Sequence, residues 1–307
     1  MGVKMKNVVT MQITMFTLIL AGLIVKKKGL VSEEGQKNIT DLVIYIVLPC
    51  NILNAFMVEG NQEFLGQFFM VLALSIGIRA FSSIAGKILY SKKELSHQMS
   101  LRYGLICSNA GFLGNPVAEG MFGETGLAMA NVFLIPLRIM MWSSGLGIYT
   151  GNNDWKSTVK KVITHPCILA CLAGVLIMCL QVPIPAVPKN VIQTIGRCNT
   201  ALSMMVIGMI LAGADIRLLF DQEVLAYSVL RLAVMPALVY GVCRLFSMPS
   251  LVTGICVVLT GMPAGATTSI LASKYHADEI FATKLVVVST VLSMVTIPLW
   301  SMALAEI

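Results

Sequence analysis

The sequence contains few charged residues. Lys, Arg, Asp and Glu together make up 12% of its 307 residues, whereas a soluble domain carries about 25%. Apolar residues make up 57% instead. This balance argues against an ordinary soluble domain and is typical of a chain that crosses a membrane several times. The excess of 22 basic over 15 acidic residues is expected in the cytoplasmic loops of such a protein and does not indicate nucleic-acid binding.

The common catalytic motifs are absent from the sequence. It has no H-E-x-x-H zinc motif, no G-x-x-x-x-G-K-[ST] phosphate loop and no G-x-S-x-G nucleophile elbow. These absences argue against a metalloprotease, an ATP-driven pump and an esterase. The eight cysteines form no C-x-x-C pair, and none of the three histidines has a partner at metal-ligand spacing. We therefore predict that the protein is not an enzyme and has neither a cofactor nor a metal site.

Long apolar runs are the main positive feature of the chain. A helix that crosses a membrane needs about 20 predominantly apolar residues. Ten runs meet this requirement, at about residues 8–25, 38–57, 64–86, 98–120, 127–149, 162–181, 191–213, 224–246, 250–273 and 279–302. We therefore predict an all-α polytopic membrane protein with ten transmembrane helices.

The distribution of Lys and Arg predicts the orientation of these spans. Fourteen of the 22 basic residues belong to the joins after the odd-numbered spans, and five lie on the opposite side. Because basic residues concentrate in cytoplasmic loops, both termini are predicted to be extracytoplasmic. Five spans on each side of a central cytoplasmic join predict two inverted repeats. The first covers residues 1–150, the second covers 162–307, and a short linker covers 151–161.

Spans four and nine are each interrupted by small residues and proline. Residues 108–116 read Ser-Asn-Ala-Gly-Phe-Leu-Gly-Asn-Pro, and residues 260–268 read Thr-Gly-Met-Pro-Ala-Gly-Ala-Thr-Thr. Proline removes a backbone donor, and inside a membrane every freed backbone group needs a partner. Paired interruptions in the two halves indicate a substrate site near the bilayer midplane. The alternative is a pair of independent proline kinks in packed helices.

The two interrupted spans supply most of the candidate binding residues. Asn115 before Pro116 predicts a helix N-cap followed by a first-turn proline, and Pro263 is expected to open the second half of span nine similarly. Helix N-termini at the midplane favour an anion. For Thr267 and Thr268, capping or bonding to their own helix backbone is the alternative. The substrate-binding candidates here are Asn109, Gly111, Gly114, Asn115, Pro116, Pro263, Gly265, Thr267 and Thr268.

Polar residues in other spans add to the candidates. Pro49 and Asn51 in span two predict a kinked wall of the same cavity, with a hydrogen bond between packed helices as the alternative for the asparagine. Arg138 in span five is the arginine most expected to contact the substrate. Arg79 and Arg231 are possible charge support for the site. Snorkelling of Arg79 towards the membrane surface is the alternative for that residue.

The interrupted spans resemble the crossover motifs of the auxin efflux carrier family, the PIN-like transporters. Asn109, Gly114 and Pro116 match the pattern N-x-x-x-x-G-x-P of its first crossover, and Pro263-Ala-Gly265 resembles its second crossover. The resemblance covers essentially the whole chain. It implies ten spans in two inverted repeats, with broken crossover helices four and nine.

This resemblance also implies a mechanism and a substrate class. Spans 1, 2, 6 and 7 would form a scaffold domain, and the other spans a transport domain that moves like an elevator, usually in a homodimer. Asn109 would contact the carboxylate of the substrate. Family substrates are indole-3-acetate in plants and small carboxylates such as malate or malonate in bacteria. The short join at 151–161 indicates a bacterial carrier, and Arg79 lacks the acidic partner found in plant members.

We therefore predict a secondary active or facilitative transporter of small organic anions in the plasma membrane, here the bacterial inner membrane. Its partners would be the anion and the lipid bilayer. One alternative is a Na⁺-coupled organic anion symporter of the bile-acid-carrier type, which shares a crossover of two broken helices. The spans contain no carboxylate pair for such an ion, although backbone carbonyls at a helix break can hold Na⁺. The second alternative is a membrane ligand sensor with a transporter-like pocket.

Overall fold

A computed structural model describes residues 2–57, 62–150, 164–213 and 221–305. Apart from one antiparallel bridge between Ser108 and Ala264, the regular structure in these ranges is helical. The predicted linker at 151–161 lies outside the described residues. The helices are α1 (Gly2–Lys27), α2 (Glu33–Ala55), α3 (Gln62–Leu89), α4 (Leu95–Ile106), α5 (Asn115–Trp142), α6 (Ser144–Thr150), α7 (Pro166–Leu180), α8 (Ala186–Ala212), α9 (Gln222–Leu245), α10 (Ser250–Thr260), α11 (Thr267–Lys274) and α12 (Glu279–Ala305).

Six helical segments in the described ranges are long and apolar enough to cross a membrane. They are α2, α3, α5 with the turn before it, α8, α9 and α12. Helices α7 and α10 are also apolar, but they are shorter. The all-α architecture is therefore consistent with a polytopic membrane protein. The count of ten spans, their inverted repeats and the repeat boundaries at 1–150 and 162–307 remain predictions.

Three prolines follow a π-helical turn inside an apolar helical segment. Proline has no N–H, and its ring clashes with the carbonyl group four residues earlier in an α-helix. A π turn is wider, so the helix continues past the proline. These pairs of turn and proline are Val43–Val47 with Pro49, Ala110–Gly114 with Pro116, and Leu230–Val234 with Pro236.

Gly123 interrupts α5 between the stretches predicted as spans four and five. Its φ of 65° and ψ of −157° are not helical. A residue with a side chain rarely adopts this conformation, which is essentially reserved for glycine. Helix α5 therefore consists of a short first part that follows the helix break and a longer second part that includes Arg138.

Helices α1, α2, α7 and α8 pack on one another, with the most extensive contact between α1 and α8. Glycines permit the close approach of that pair. A Cβ atom at Gly208 would collide with the carbonyl oxygen of Ile19, and a Cβ atom at Gly22 would collide with the backbone of Met205. Small residues at such contacts are the usual means by which membrane helices pack closely.

The remaining helices, α3 to α6 and α9 to α12, form a second group of packed helices. Hydrogen bonds from side chains to backbone carbonyls link its members. Ser75 of α3 donates to the carbonyl oxygen of Phe133 in α5 at 2.6 Å. The indole N–H of Trp300 in α12 donates to the carbonyl oxygen of Leu232 in α9 at 2.9 Å. The cavities described below lie between this group and helices α1 and α8.

A cluster of charged side chains joins the start of α4 to α9 and α12. Glu223 pairs with Lys93, and its Oε2 atom lies 3.0 Å from Nδ1 of His97. The Nε2 atom of His97 lies 3.4 Å from Oδ2 of Asp278, and the His97 ring stacks on Phe281 at 3.7 Å between ring centroids. The cluster thus holds three helix ends together on the side that the basic residues predict to be cytoplasmic.

Candidate functional site

The two interruptions of the chain meet and satisfy each other's backbone groups. The backbone N–H of Asn109 donates to the carbonyl oxygen of Pro263 at 2.8 Å. The N–H of Gly265 donates to the carbonyl oxygen of Cys107 at 3.1 Å. Together with the bridge between the two segments, these bonds supply partners for backbone groups that lipid could not satisfy.

The place where the two interrupted segments meet is called the crossing below. On each segment a helix starts close to it. After the first break the chain forms the π turn Ala110–Gly114 and continues into α5. After the second break α11 starts at Thr267. The first N–H groups of a helix have no partner within it, and this end carries a partial positive charge. Both starts therefore direct positive electrostatic potential towards the crossing.

An α-helix does begin at Asn115 with Pro116 in its first turn, but the predicted N-cap role of Asn115 and the predicted helix start at Pro263 are wrong. Asn115 is itself helical, with φ −58° and ψ −50°, and its side chain makes no N-cap bond because the helix has already restarted at Ala110. Pro263 lies in the non-helical crossing segment, four residues before α11 begins at Thr267. Its carbonyl oxygen is engaged by Asn109, so the chain stays extended past the proline.

Asn109 lines a small cavity, of about 10 Å³, between the first break and α8. The hydrogen bonds that Asn109 makes within the described chain use its backbone N–H and carbonyl groups. Its side-chain amide therefore faces the cavity with its donors and acceptor available to a ligand. The other lining residues are Ile207, Ile210 and Leu211 of α8, Ala266 of the second break, and Val286, Val287 and Thr290 of α12.

A second cavity, also of about 10 Å³, lies between α1 and α12. Thr290 lines both cavities, so the two are adjacent. The second cavity also touches the segment that follows the first break. Its lining residues are Met15, Phe16, Ile19, Leu113, Val117, Thr290, Ser293, Met294 and Ile297.

Two fully buried arginines hold the ends of the helices that precede the breaks. Nη1 of Arg79 donates to the carbonyl oxygen of Ile106 at 2.5 Å. Arg231 donates from Nη1 to the carbonyl oxygen of Leu105 at 2.9 Å and from Nε to that of Met262 at 3.0 Å. The guanidinium groups thus counter the partial negative charge at the C-terminal ends of α4 and α10. The alternative in which Arg79 snorkels to the membrane surface is wrong.

Neither guanidinium group forms an ion pair with an acidic residue in the part of the chain that the structure describes. In the same part, Nε and Nη2 of Arg79 and Nη2 of Arg231 are buried without a hydrogen-bond acceptor. Arg79 lies over the ring of Phe133 at 5.2 Å from its centroid, a contact that stabilises a cation. Two positive charges without a neighbouring carboxylate therefore lie behind the crossing.

Asn115 and Arg138 belong to a buried network beside the cavities. Nδ2 of Asn115 and Nη2 of Arg138 donate to Oδ1 of Asn131 at 3.2 and 3.3 Å. Nη1 of Arg138 also donates to Sγ of Cys171 at 3.3 Å, which joins α5 to α7. Asn131 was not among the candidates, although it lies seven residues before Arg138 on the same helix face. Neither Asn115 nor Arg138 lines the two cavities.

The threonines of the second break are held by tyrosines. The hydroxyl of Tyr103 donates to Oγ1 of Thr267 at 3.1 Å, and the hydroxyl of Tyr149 donates to the carbonyl oxygen of Thr268 at 3.2 Å. The side chain of Thr268 is buried, and its Oγ1 has no partner in the described ranges. Neither threonine caps α11, which starts without a side-chain cap.

The glycines of the breaks differ in their surroundings. A Cβ atom at Gly111 would meet open space, whereas one at Gly114 would collide with the side chain of Leu259. A Cβ atom at Gly265 would lie 3.3 Å from the carbonyl oxygen of Cys107. Gly114 and Gly265 therefore permit the close approach of the two segments, and Gly111 has no such role.

The remaining candidates, Pro49, Asn51 and Pro116, affect the geometry and packing of helices. Asn51 donates from Nδ2 to the carbonyl oxygen of Gly196 in α8 at 3.3 Å, which is the interhelical hydrogen bond expected as its alternative. Pro49 and Pro116 each follow a π turn. These residues do not line the cavity at Asn109.

Two hydroxyl residues of α12 were missed by the sequence analysis. Oγ of Ser289 accepts the backbone N–H of Ala264 at 3.1 Å and donates to the carbonyl oxygen of Leu285 at 2.7 Å. Thr290, the next residue, lines both cavities. A single Ser-Thr pair in an apolar run is a weak signal, because such hydroxyls commonly bond to their own helix.

The helical architecture and the long apolar segments are consistent with a polytopic membrane protein. The family described as "Membrane transport protein" matches residues 7–154 and 154–301. The chain therefore belongs to this family, the auxin efflux carrier family.

Proteins named only as uncharacterized transporters are similar over almost their whole length. One from Methanocaldococcus jannaschii is 25% identical, over 92% of this chain and 94% of the relative. One from Methanothermobacter thermautotrophicus is 24% identical, over 95% and 97%. One from Escherichia coli K12 is 22% identical, over 92% and 93%. The family and the names of these relatives indicate a transporter rather than an enzyme.

Proposed function

We propose that this protein is a secondary transporter of small organic anions, with the substrate bound where the two helix breaks cross. The observation that carries the proposal is the position of Asn109. Its side-chain amide faces a cavity at the crossing, and its own hydrogen bonds within the described chain come from the backbone. An amide at such a point binds one oxygen of a carboxylate through its N–H donors.

The charges near the crossing support an anionic substrate. Arg79 and Arg231 are fully buried, and in the described ranges neither is neutralised by an ion pair. Positive potential from buried guanidinium groups is weakly screened, so it attracts an anion without direct contact. The two helix starts at the crossing add potential of the same sign.

The grouping of the helices supports an elevator-like movement. Helices α1, α2, α7 and α8 pack as one group, and the breaks belong to the other group. Residues of both groups line the cavity at Asn109. In the proposed mechanism the second group carries the bound anion past the first, and the two separate family matches support two related halves. Rigid-body movement of one helix group against the other exposes a midplane site to each side of the membrane in turn.

The same arginines disfavour sodium coupling. In ion-coupled carriers the C-terminal ends of half-helices and their carbonyl groups coordinate the cation. Here Arg79 donates to the carbonyl oxygen of Ile106, and Arg231 donates to those of Leu105 and Met262. A guanidinium group therefore already occupies the position of the cation at both helix ends. We expect transport without a requirement for Na⁺.

The proposal includes a plasma-membrane location, in the bacterial inner membrane, with both termini extracytoplasmic and a homodimeric assembly. Protease cleavage of a terminal tag in whole cells would report the orientation. Cross-linking in membranes would report the assembly.

The test is flux of radiolabelled carboxylates into proteoliposomes, with and without Na⁺ and a pH gradient. We expect saturable flux that Asn109→Ala reduces by roughly tenfold or more, because a hydrogen bond to a charged group contributes about 1.5–3 kcal/mol. Asn115→Ala is the matched control: it alters the buried network with Asn131 without changing the lining of the cavity, so flux per amount of folded, reconstituted protein should stay within about twofold of wild type.

The alternatives give different results in the same experiment. Flux that appears only with Na⁺ would indicate the symporter of the bile-acid-carrier type. Ligand binding without any flux would indicate the sensor. Equal flux in Asn109→Ala and Asn115→Ala would remove Asn109 from the site.

A further inference from the structure

We propose that Arg138 of α5 is a latch between the two groups of packed helices. Its bond to Cys171 of α7 holds the groups in the described relative position, and the bond breaks when one group moves past the other. The inference rests on the proposed function, because it concerns the elevator-like movement. It gives Arg138 a role in positioning the groups, in place of the contact with the substrate that the sequence predicts.

The bond between Arg138 and Cys171 crosses from one helix group to the other. Helix α5 belongs to the group that contains the breaks, whereas α7 packs with α1, α2 and α8. Nη1 of Arg138 donates to Sγ of Cys171 at 3.3 Å, and both side chains are buried. The other hydrogen bonds between helices described above, such as that of Asn51 with Gly196, each stay within one group. Arg138 therefore connects the two groups through a directional contact.

Apolar side chains form the contact between the groups at the cavity between α1 and α12. Met15 and Ile19 of one group line this cavity together with Val117 and Ile297 of the other. Apolar contacts are non-directional, so they can form again in another relative position of the groups. A hydrogen bond has a narrow range of length and angle. Of these two kinds of contact, the bond of Arg138 is the one that selects a single relative position.

The guanidinium group of Arg138 is fixed to its own helix. Its Nη2 donates to Oδ1 of Asn131 at 3.3 Å. The amide of Asn131 is oriented in turn, because its Nδ2 donates to the carbonyl oxygen of Leu127 at 3.0 Å. Both partners belong to α5. Arg138 therefore moves with the group that contains the breaks and reaches the other group through Nη1.

The acceptor on the other group is weak. A thiol sulfur is a weak hydrogen-bond acceptor, and within the described ranges no acidic side chain forms an ion pair with Arg138. The bond to Cys171 therefore breaks at little cost. A carboxylate at this position would instead form an ion pair with the guanidinium group. Separation of that pair would leave an uncompensated charge inside the protein.

The first test strengthens the latch. Cys171→Asp introduces a carboxylate, and Cys171→Asn is the uncharged control of the same shape. Flux of radiolabelled malate, malonate, succinate and butyrate is measured in proteoliposomes per amount of folded, reconstituted protein. For the acids that are transported, we expect flux to be at least about tenfold lower in Cys171→Asp than in Cys171→Asn. Equal flux in the two variants would overturn the inference.

The second test measures the relative position of the groups without transport. Cysteines that replace the exposed Lys27 of α1 and Lys87 of α3 carry spin labels, and double electron–electron resonance gives the distance between them. Serine replaces the exposed Cys179 and Cys198 in every variant. Cys171→Ala removes the acceptor of the latch. We expect it to raise the population at distances other than the main one by about two- to tenfold.

Cys167→Ala is the matched control for the distance measurement. Cys167 lies one turn before Cys171 on α7 and is equally buried. Its Sγ donates to the carbonyl oxygen of Ile44 in α2 at 3.7 Å, so this bond stays within one group. The distances in Cys167→Ala should match those of the wild type. Unchanged distances in Cys171→Ala, or the same change in both variants, would overturn the inference.

The two tests separate failure of the latch from failure of the proposed function. Absence of flux in the wild-type protein for every carboxylate tested would reject the transporter proposal. The distance measurement does not require flux, so it decides the latch in that case too. It also decides the latch if Cys171→Asp does not assemble.

Discussion

The two helix breaks are related in position but differ in how their polar groups are used. In the first break the side chain of Asn109 faces a cavity. In the second, the N–H of Ala264 is bonded to Ser289, and the carbonyl oxygen of Met262 is bonded to Arg231. The first segment is thus left with a donor for a ligand, whereas the second is held by side chains of α9 and α12. We infer that recognition and support are divided between the two breaks.

Arg231 forms hydrogen bonds with both of the segments that contain the breaks. It donates to the carbonyl oxygen of Met262 next to the second break and to that of Leu105 at the end of α4, before the first. Its side chain is fully buried. One guanidinium group therefore fixes the relative position of the two breaks.

Removing Arg231 should have the largest effect on stability. In Arg231→Met the carbonyl groups of Leu105 and Met262 lose their donor. Each of the two buried, unsatisfied acceptors costs about 1–3 kcal/mol, so we expect a loss of about 2–6 kcal/mol. A lower midpoint of thermal unfolding in detergent and a smaller monodisperse fraction after size exclusion would report this loss.

Arg244→Met is the matched control, because Arg244 lies on the same helix and is exposed. Its charge is not required at the crossing, so its midpoint should stay close to that of the wild type. If both variants unfold at the same temperature, Arg231 does not hold the breaks together.

The existence of the breaks could be predicted from the sequence, but the division of roles between them could not. Glycine and proline act on the backbone locally, so their clustering marks a break without knowledge of the fold. Asn109 and Asn115 are chemically identical and lie six residues apart. The partner of Asn115 is Asn131, reached only when α5 has formed, whereas Asn109 faces α8 from the other half of the chain.

The predicted N-cap at Asn115 and the predicted helix start at Pro263 were wrong for a related reason. Asn115-Pro116 has the local signature of a helix start, but the chain restarts its helix at Ala110 through a π turn. The backbone N–H of Asn109, just before this turn, donates to the carbonyl oxygen of Pro263, which is far away in the sequence. Local sequence propensity contains no information about a partner that is distant in the sequence. Ser289 was missed for the same reason, because its partner Ala264 lies on another segment.

Gly111 and Gly114 of the first break allow a second test of the comparison between the breaks. The expected effect on stability is intermediate. Gly114→Ala brings a Cβ atom against Leu259 of α10, close to Met262 of the second break. Overpacking of this type costs about 1–3 kcal/mol. We expect a lower unfolding midpoint and reduced flux.

Gly111→Ala is the control in the same π turn. A Cβ atom there meets open space, so alanine should be tolerated. The same two assays measure this variant. Equal losses in Gly111→Ala and Gly114→Ala would show that the breaks do not depend on close packing at Gly114.

Ser289→Ala should have the smallest effect, because it removes one bond from the second break. The N–H of Ala264 then loses its acceptor at 3.1 Å, at a cost of about 1–3 kcal/mol for one buried donor, against two unsatisfied groups in Arg231→Met. Ser301→Ala on the same helix is the control, since the buried hydroxyl of Ser301 has no partner in the described ranges. We expect the unfolding midpoint to fall only in Ser289→Ala. The apparent affinity for the transported carboxylate should stay unchanged, because Ser289 supports the second break without lining either cavity. A changed affinity would mean that the second break also takes part in substrate recognition, and would contradict the division of roles.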